Sequence, residues 1–149
     1  MFRLRTLIPF VLCLAVAAPL AAGEKATPEE AQALLAKAVK AIETQGEEKA
    51  LAAFNDPKGG YRDRELYVFC TGTDNKMSAH ADPAMIGVDA TTLKDPDGKE
   101  VGKEMAALRT KGEGVVEYRW KNPVSGEVEP KVSYLKSAGN QLCGVGAYK

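Results

Sequence analysis

The sequence contains few of the residues on which most metal and catalytic sites depend. It has one histidine and three cysteines among 149 residues, and its 20 basic residues equal its 20 acidic ones. A single histidine with so few cysteines is a poor basis for a zinc site. The sequence also lacks a serine nucleophile elbow, a cysteine–histidine pairing motif and a basic stripe of the kind that binds nucleic acid. We therefore expect no metal, no cofactor, no nucleic-acid partner and no catalysis.

The N-terminus has the layout of a secretory signal peptide. Arg3 and Arg5 precede an apolar run at 6–20, and small residues follow around Ala22. The run is shorter than the about 20 residues that a permanent membrane anchor needs, although an uncleaved anchor is the alternative. We expect residues 1–22 to be the signal peptide, cleaved near Ala22, which leaves a single periplasmic domain at 23–149.

Beyond this segment, helical patterns come first and strand patterns follow. Thr27, Pro28 and Glu30 predict the start of a helix with a capping box. A second, short helix is expected to end before Pro57. Alternating β-branched and aromatic residues then predict five strands, at 65–71, 76–81, 114–121, 131–137 and 141–148. The turns joining these strands are mostly short and favour antiparallel neighbours, so the expected fold class is α+β.

The long link at 82–113, which contains a predicted helix at about 99–111, must cover one face of the sheet. Alternation along the next strand sets Tyr118 and Trp120 together on one face. Aromatic rings with one hydrogen-bond donor each suit an apolar cavity that orients its ligand through few polar contacts. Ordinary core packing is the alternative for both residues.

Lys131 and Tyr134 are candidate ligand-binding residues on a later strand. Lys131 follows Pro130 at the predicted strand start, where its cation could reach a carboxylate at the mouth of a pocket. A solvated lysine is the alternative. Strict alternation sets Tyr134 on the face opposite Lys131, so both can reach one pocket only if a twist or bulge occurs near Pro130.

His80 and Tyr67 are candidates on the first two strands. With an unperturbed pKa of about 6.5, His80 could donate to an anionic ligand, and binding would then weaken as the pH rises. A structural histidine bonded to a backbone carbonyl is the alternative. Tyr67 lies two positions before Phe69 on the same strand face and is a candidate for the same reasons as the other aromatic residues.

Cys70 and Cys143 are the cysteines that remain after export. Each lies in a predicted strand, and an oxidising compartment permits a disulfide between them if those strands are neighbours. Two buried thiols that pack as small apolar residues are the alternative.

Three stretches of the chain together resemble one known family. They read RELYVFCTGTDNKMSAHA at 64–81, MIGVDATTLKDPDGKE at 85–100 and GEGVVEYRWKNPVSGEVEPKVSYLKSAGNQLCGVGAYK at 112–149. Their order resembles that of the single Cache domain family, type 2, over roughly 27–149. The resemblance implies a PAS-like fold in which a long N-terminal helix packs on a five-stranded antiparallel sheet. It also implies a ligand, commonly a small carboxylate or an amino acid, held between the sheet and the long link.

Domains of this family usually serve a membrane sensor kinase or chemoreceptor. Because this sequence ends at Lys149 without a second membrane helix or a transmitter, we expect a periplasmic binding subunit that does no chemistry on its ligand. One alternative is an interaction module that docks on a membrane receptor, as a homodimer through the stripe of Leu34, Leu35 and Ile42, although packing within the domain's own core is the more frequent role of such a stripe. A small periplasmic enzyme is the other alternative.

Overall fold

The computed structural model describes residues 23–149, so the predicted signal peptide at 1–22 lies outside the described residues. The chain begins with helix α1, Pro28–Gln45, and a glycine with φ 87° at position 46 separates it from α2, Glu47–Asn55. The predicted capping box is present, because the Thr27 hydroxyl accepts from Glu30 N–H while the Glu30 carboxylate accepts from Thr27 N–H. These bonds satisfy amide groups that the first helical turn leaves unpaired.

The rest of the chain builds an antiparallel sheet of six strands in the spatial order β1-β2-β6-β5-β4, with β3 also paired to β2. The strands are β1 Arg62–Asp63, β2 Leu66–Thr71, β3 Met77–Ala79, β4 Glu113–Lys121, β5 Val128–Ala138 and β6 Gln141–Tyr148. The α+β class is confirmed. The sequence predicted five strands rather than six, because β1 has two residues and is too short to show an alternating pattern.

The two faces of the sheet are covered by different parts of the chain. Helices α1 and α2 pack on one face. The other face lies under the segment 82–112, here called the excursion, which contains two short 3-10 turns, Pro83–Met85 and Ala90–Thr92, and helix α3, Val101–Ala107. Helix α3 is shorter than the predicted 99–111, since residues 108–112 close as turns that end at Gly112, φ 83°. In the part of the chain that the structure describes, no helix is both long and apolar enough to cross a membrane.

A disulfide bond joins Cys70 to Cys143, which is one of the two states that the sequence left open. The two residues are direct partners on the neighbouring strands β2 and β6, and both are fully buried on the helix-covered face. Their sequence separation is 73, so the bond restricts the unfolded chain by about 4 kcal/mol in the chain-entropy model. The bond therefore fixes the two strands that carry part of the opposite face as well.

Candidate functional site

A small cavity lies between the sheet and the excursion. Its volume is about 30 Å³, which is room for about two water molecules. Its walls are aromatic and aliphatic side chains with one imidazole, contributed by Tyr67, Phe69, Met77, His80, Met85, Leu93, Val101, Met105, Tyr118 and Trp120. Three of these are methionines, whose unbranched side chains change rotamer readily. A ligand larger than two waters therefore enters only when these walls shift.

Lys131 lies next to this cavity, behind two of its aromatic walls. Its side chain is 1% exposed, and its Nζ lies 3.0 Å from the hydroxyl of Tyr67. The same Nζ lies 4.3 to 5.9 Å from the centres of four rings, those of Tyr67, Tyr148, Phe69 and Tyr118. Burial lowers the pKa of Lys131 to about 7, and no carboxylate within residues 23–149 forms an ion pair that would restore it. The site thus contains a buried amine that lacks a counter-charge.

Glycines on β6 make room for this lysine to lie along the sheet. Lys131 and Ser133 face the same side of β5, and Ser133 is the direct partner of Gly146. A methyl group at Gly146 would overlap Lys131 Cε and Ser133 Oγ. The Ser133 hydroxyl in turn forms a hydrogen bond of 3.0 Å with the Tyr118 hydroxyl. The buried polar groups here thus form two hydrogen-bonded pairs, Lys131–Tyr67 and Ser133–Tyr118.

His80 stands at the edge of the cavity as a neutral hydrogen-bond donor. Its Nδ1 accepts from the backbone N–H of Asp82 at 2.9 Å, which leaves the hydrogen on Nε2. Burial, and next the charge of Lys131, lower the pKa of His80 to about 4. This differs from the sequence-based expectation of a protonated imidazole, because the sequence did not show that the ring would be buried close to a lysine.

An open recess of about 360 Å³ adjoins the cavity on its outer side. Tyr67, His80 and Trp120 line both spaces, so these three side chains form the wall between them. Arg62 also lines the recess, where its Nη2 donates to the Asn55 carbonyl at 3.1 Å and its buried Nε has no partner within the described residues. The sequence did not predict Arg62 as a site residue, because the two-residue strand β1 carries no periodic signal.

The structure brings together five of the six residues that the sequence predicted for the site. Tyr67, His80, Tyr118 and Trp120 line the cavity, and Lys131 lies directly behind the first and third of them.

Tyr134 does not join them, and its prediction needs correction. It pairs with Val115 and Val145, faces α1 and packs against the core on the helix side. The register of β5 with β4 is continuous through Pro130, and its register with β6 is continuous from Lys131 onward, so the bulge that would have turned Tyr134 toward Lys131 is absent there.

The described residues hold no group of three or more histidine, cysteine, aspartate or glutamate side chains placed to bind a metal ion. Ser133 bonds to Tyr118 rather than to His80, so these residues do not form the serine–histidine pair that activates a nucleophilic serine. The arrangement is suited to holding a small molecule through a few buried polar groups within an apolar wall.

Comparison with known proteins assigns the family. The sequence model described as Single Cache domain 2 matches residues 14–145. The methyl-accepting chemotaxis protein McpP of Pseudomonas putida is 37% identical over 76 residues, which are 50% of this chain and 14% of McpP. The chain thus spans a small part of that relative.

Solved structures agree with this assignment. A methyl-accepting chemotaxis protein from Vibrio parahaemolyticus has a TM-score of 0.68 at 21% identity and shares the fold, with 80% of this chain and 86% of that chain covered. A Cache chemosensory domain described for carboxylic acid recognition has a TM-score of 0.59 at 28% identity, with the same coverage. A periplasmic sensor domain of a chemotaxis protein has a TM-score of 0.62 at 25% identity, covering 80% and 88%. This chain belongs to the single Cache domain 2 family.

Proposed function

We propose that this domain is an extracytoplasmic sensor that binds a small carboxylate beside Lys131 and does not transform it. Members of its family are small-molecule sensor domains, and one solved neighbour is a domain that recognises carboxylic acids. For this chain, the ligand class rests on the chemistry of the cavity described above.

The observation that carries the proposal is the buried amine of Lys131. Burying a charge is costly unless a counter-charge accompanies it, and here burial alone lowers the pKa of the group. A carboxylate in the cavity would supply that counter-charge and would form a charge-assisted hydrogen bond with the ammonium. The hydroxyls of Tyr67 and Tyr118 and the Nε2–H of His80 are neutral donors for the second carboxylate oxygen.

The size and the walls of the cavity favour a short acid. About 30 Å³ is less than any organic acid fills, so binding requires Met77, Met85 or Met105 to move. A short aliphatic tail would then lie against thioether and aromatic groups that need no polar partner. Amino acids fit this description less well, because none of the residues that line the cavity is a carboxylate that could pair with an ammonium group, and Asp82 lines only the adjoining recess.

The compartment and the partner are parts of the same proposal. We infer that residues 1–22 are a signal peptide and that the domain acts in the periplasm beside a membrane chemoreceptor or sensor kinase, since one relative is a chemotaxis receptor. Intact-mass measurement of the exported protein should give the mass of a chain that starts near Gly23. A mass equal to that of the full sequence would contradict cleavage.

Thermal unfolding with a panel of acids tests the ligand class. Acetate, propionate, lactate and pyruvate are compared with the corresponding amides and with amino acids. A ligand at a hundred times its dissociation constant stabilises the folded state by about 2.7 kcal/mol, which raises the melting temperature by several degrees. We expect the shift with short acids and not with their amides. Equal shifts with acids and amides, or no shift with any acid, would overturn the proposal.

A matched pair of variants assigns the effect to the site. Lys131→Met removes the buried amine, whereas Lys136→Met changes an exposed lysine on the same strand. The acid-dependent shift should disappear in the first variant and remain in the second.

A further inference from the structure

A second cavity lies under α3, beside the first. It also measures about 30 Å³, and α3, the second 3-10 turn, β5 and β6 all contribute to its walls. Leu135 and Leu142, which are buried on the sheet, line this cavity and not the first one. Within residues 23–149, every side chain that lines it is uncharged, and the polar ones are Thr71 and Asn75. The space is therefore suited to an apolar group and not to a second carboxylate.

The two cavities share a wall of apolar side chains. Four of these line both spaces and so separate one from the other, namely Phe69, Met77, Leu93 and Met105. Methionine side chains are unbranched and change rotamer readily. When Met77 or Met105 moves to admit a ligand to the first cavity, the same movement would join the two spaces.

Backbone contacts hold the other walls of the second cavity in place. The N–H of Ala90 donates to the Asn75 carbonyl at 2.9 Å, and Arg109 Nη2 donates to the Gly72 carbonyl at 2.7 Å. Helix α3 approaches Ala90 closely, because a Cβ at Gly102 would overlap the Ala90 carbonyl. A shift of the excursion that collapsed the cavity would break these contacts. Since a void deprives its lining atoms of packing contacts, filling it with an apolar group is favourable.

We propose that the second cavity receives the aliphatic tail of an unbranched monocarboxylic acid longer than propionate, whose head group lies in the first cavity. The inference rests on the proposed function, and it names the acids that the site prefers. The path left by a displaced methionine has the width of an unbranched chain, because the methionine side chain is itself unbranched. Each methylene group that becomes buried should improve binding by about fourfold.

Calorimetric titration of the full exported protein with propionate, butyrate, pentanoate and hexanoate tests the inference. Affinity should rise with each added methylene until the second cavity is full, so pentanoate should bind at least about tenfold more tightly than propionate. If propionate binds as tightly as butyrate and pentanoate, or more tightly, the inference is overturned and the proposed carboxylate site stays intact. An absence of binding with all four acids would overturn the proposed function itself.

Glutarate, a dicarboxylate with the same number of carbons as pentanoate, shows which way the tail points. The open recess on the outer side of the first cavity has the cations Arg62 and Lys121 in its wall, whereas the second cavity is lined by uncharged residues. Glutarate should therefore bind at least about tenfold more weakly than pentanoate, since its second carboxylate would be buried without a partner. Glutarate binding as tight as that of pentanoate would place the tail in the recess and would overturn the inference.

A matched pair of variants on α3 locates the tail. Ala106 lines the second cavity and not the first, so Ala106→Leu should fill that space with a side chain. The advantage of pentanoate over propionate should then disappear, while propionate affinity stays unchanged. Ala107→Leu adds the same group at an exposed position of the same helix and should keep the advantage.

Thermal unfolding establishes that these variants fold. Ala106→Val, a smaller addition at the same position, takes the place of Ala106→Leu if that variant does not fold. A folded Ala106 variant that still binds pentanoate with the full advantage over propionate would overturn the inference. Equal loss of propionate and pentanoate binding in that variant would also overturn it, because the added side chain would then be acting on the head group.

Discussion

The two faces of the sheet are built from different residues. On the helix-covered face, Val68, Val132 and Val145 belong to the same apolar core as the disulfide. On the excursion-covered face, aromatic and methionine side chains surround a cavity, a buried amine and the pair Tyr118–Ser133. Buried polar groups lower stability unless they are paired, whereas aliphatic contacts and cross-links raise it.

Under the proposed function, stability and binding are carried by opposite faces of the same strands. Because successive residues of a strand point to opposite faces, neighbours in the sequence belong to different functions. Lys131 is beside the cavity, while Val132 is in the helix-side core. Substitutions one residue apart should therefore separate the two properties.

The largest effect should come from the disulfide. Replacing both Cys70 and Cys143 with alanine should reduce the free energy of unfolding by about 4 kcal/mol, since the bond restricts a loop with a sequence separation of 73. Urea unfolding measures the loss. Acid affinity of the folded fraction, measured by calorimetry, should be unchanged. A parallel fall in affinity would show that the two faces are coupled.

Lys131→Met should act in the opposite way. Removing one partner of a buried charged pair typically costs at least about 2 kcal/mol, so acid affinity should fall about thirtyfold or more. Stability without ligand should not fall near neutral pH, because the variant no longer buries an amine. Val132→Ala is the control, and it should lower the free energy of unfolding by about 2 kcal/mol without altering affinity. Equal losses of stability in Lys131→Met and Val132→Ala would contradict the division of stability and binding between the two faces.

The effect of pH on acid affinity should be smaller, and affinity should only decrease as the pH rises. The folded-state pKa of Lys131 is about 7, and the amine must be protonated to pair with an acid. Affinity should be constant below pH 7 and fall by up to about tenfold per unit above it. Calorimetry in buffers from pH 5.5 to 8.5 measures this slope, which His80→Gln should preserve, since the pKa of His80 is about 4. If the slope disappears in His80→Gln, the titrating group is His80 and not Lys131.

The lowered pKa of Lys131 also makes the stability of the ligand-free protein depend on pH. The unfolded chain holds this proton more tightly, because the ordinary lysine pKa is 10.5. The free energy of unfolding contributed by this group should therefore increase as the pH rises from about 7 toward 10.5. Lys131→Met should remove that increase.

Tyr134→Phe should have the smallest effect. The residue faces α1 and lies outside the cavity, so acid affinity should change by less than about 0.5 kcal/mol. Tyr118→Phe is the matched change on the other face, and it breaks the bond to Ser133. Equal losses of acid affinity in Tyr134→Phe and Tyr118→Phe would contradict the division of stability and binding between the two faces.

Most of the fold was predictable from local patterns, and the chemistry of the site was not. The capping residues Thr27 and Glu30 identified the start of α1, and alternation identified the five longer strands. Alternation also placed Tyr118 and Trp120 on the cavity face.

The remaining features depend on contacts between distant parts of the chain. The burial of Lys131 requires Tyr67 and Tyr148 from two other strands, and the lowered pKa of His80 comes first from burial of its ring and next from the charge of that lysine. Strand β1 and its Arg62 were missed because two residues cannot display a period. Tyr134 lies on the face opposite Lys131, as strict alternation along the strand predicts, and not at the site to which it had been assigned.

Two glycines of β6 give this domain a way to evolve its ligand preference at a distance. Gly144 and Gly146 leave space that the ring of Phe69 and the stem of Lys131 occupy. Any side chain at either position would displace one of these two neighbours of the proposed ligand site, although neither glycine lines the cavity itself. Relatives could thus acquire new ligands through changes in the sheet beneath the pocket, while every residue in the wall stays the same.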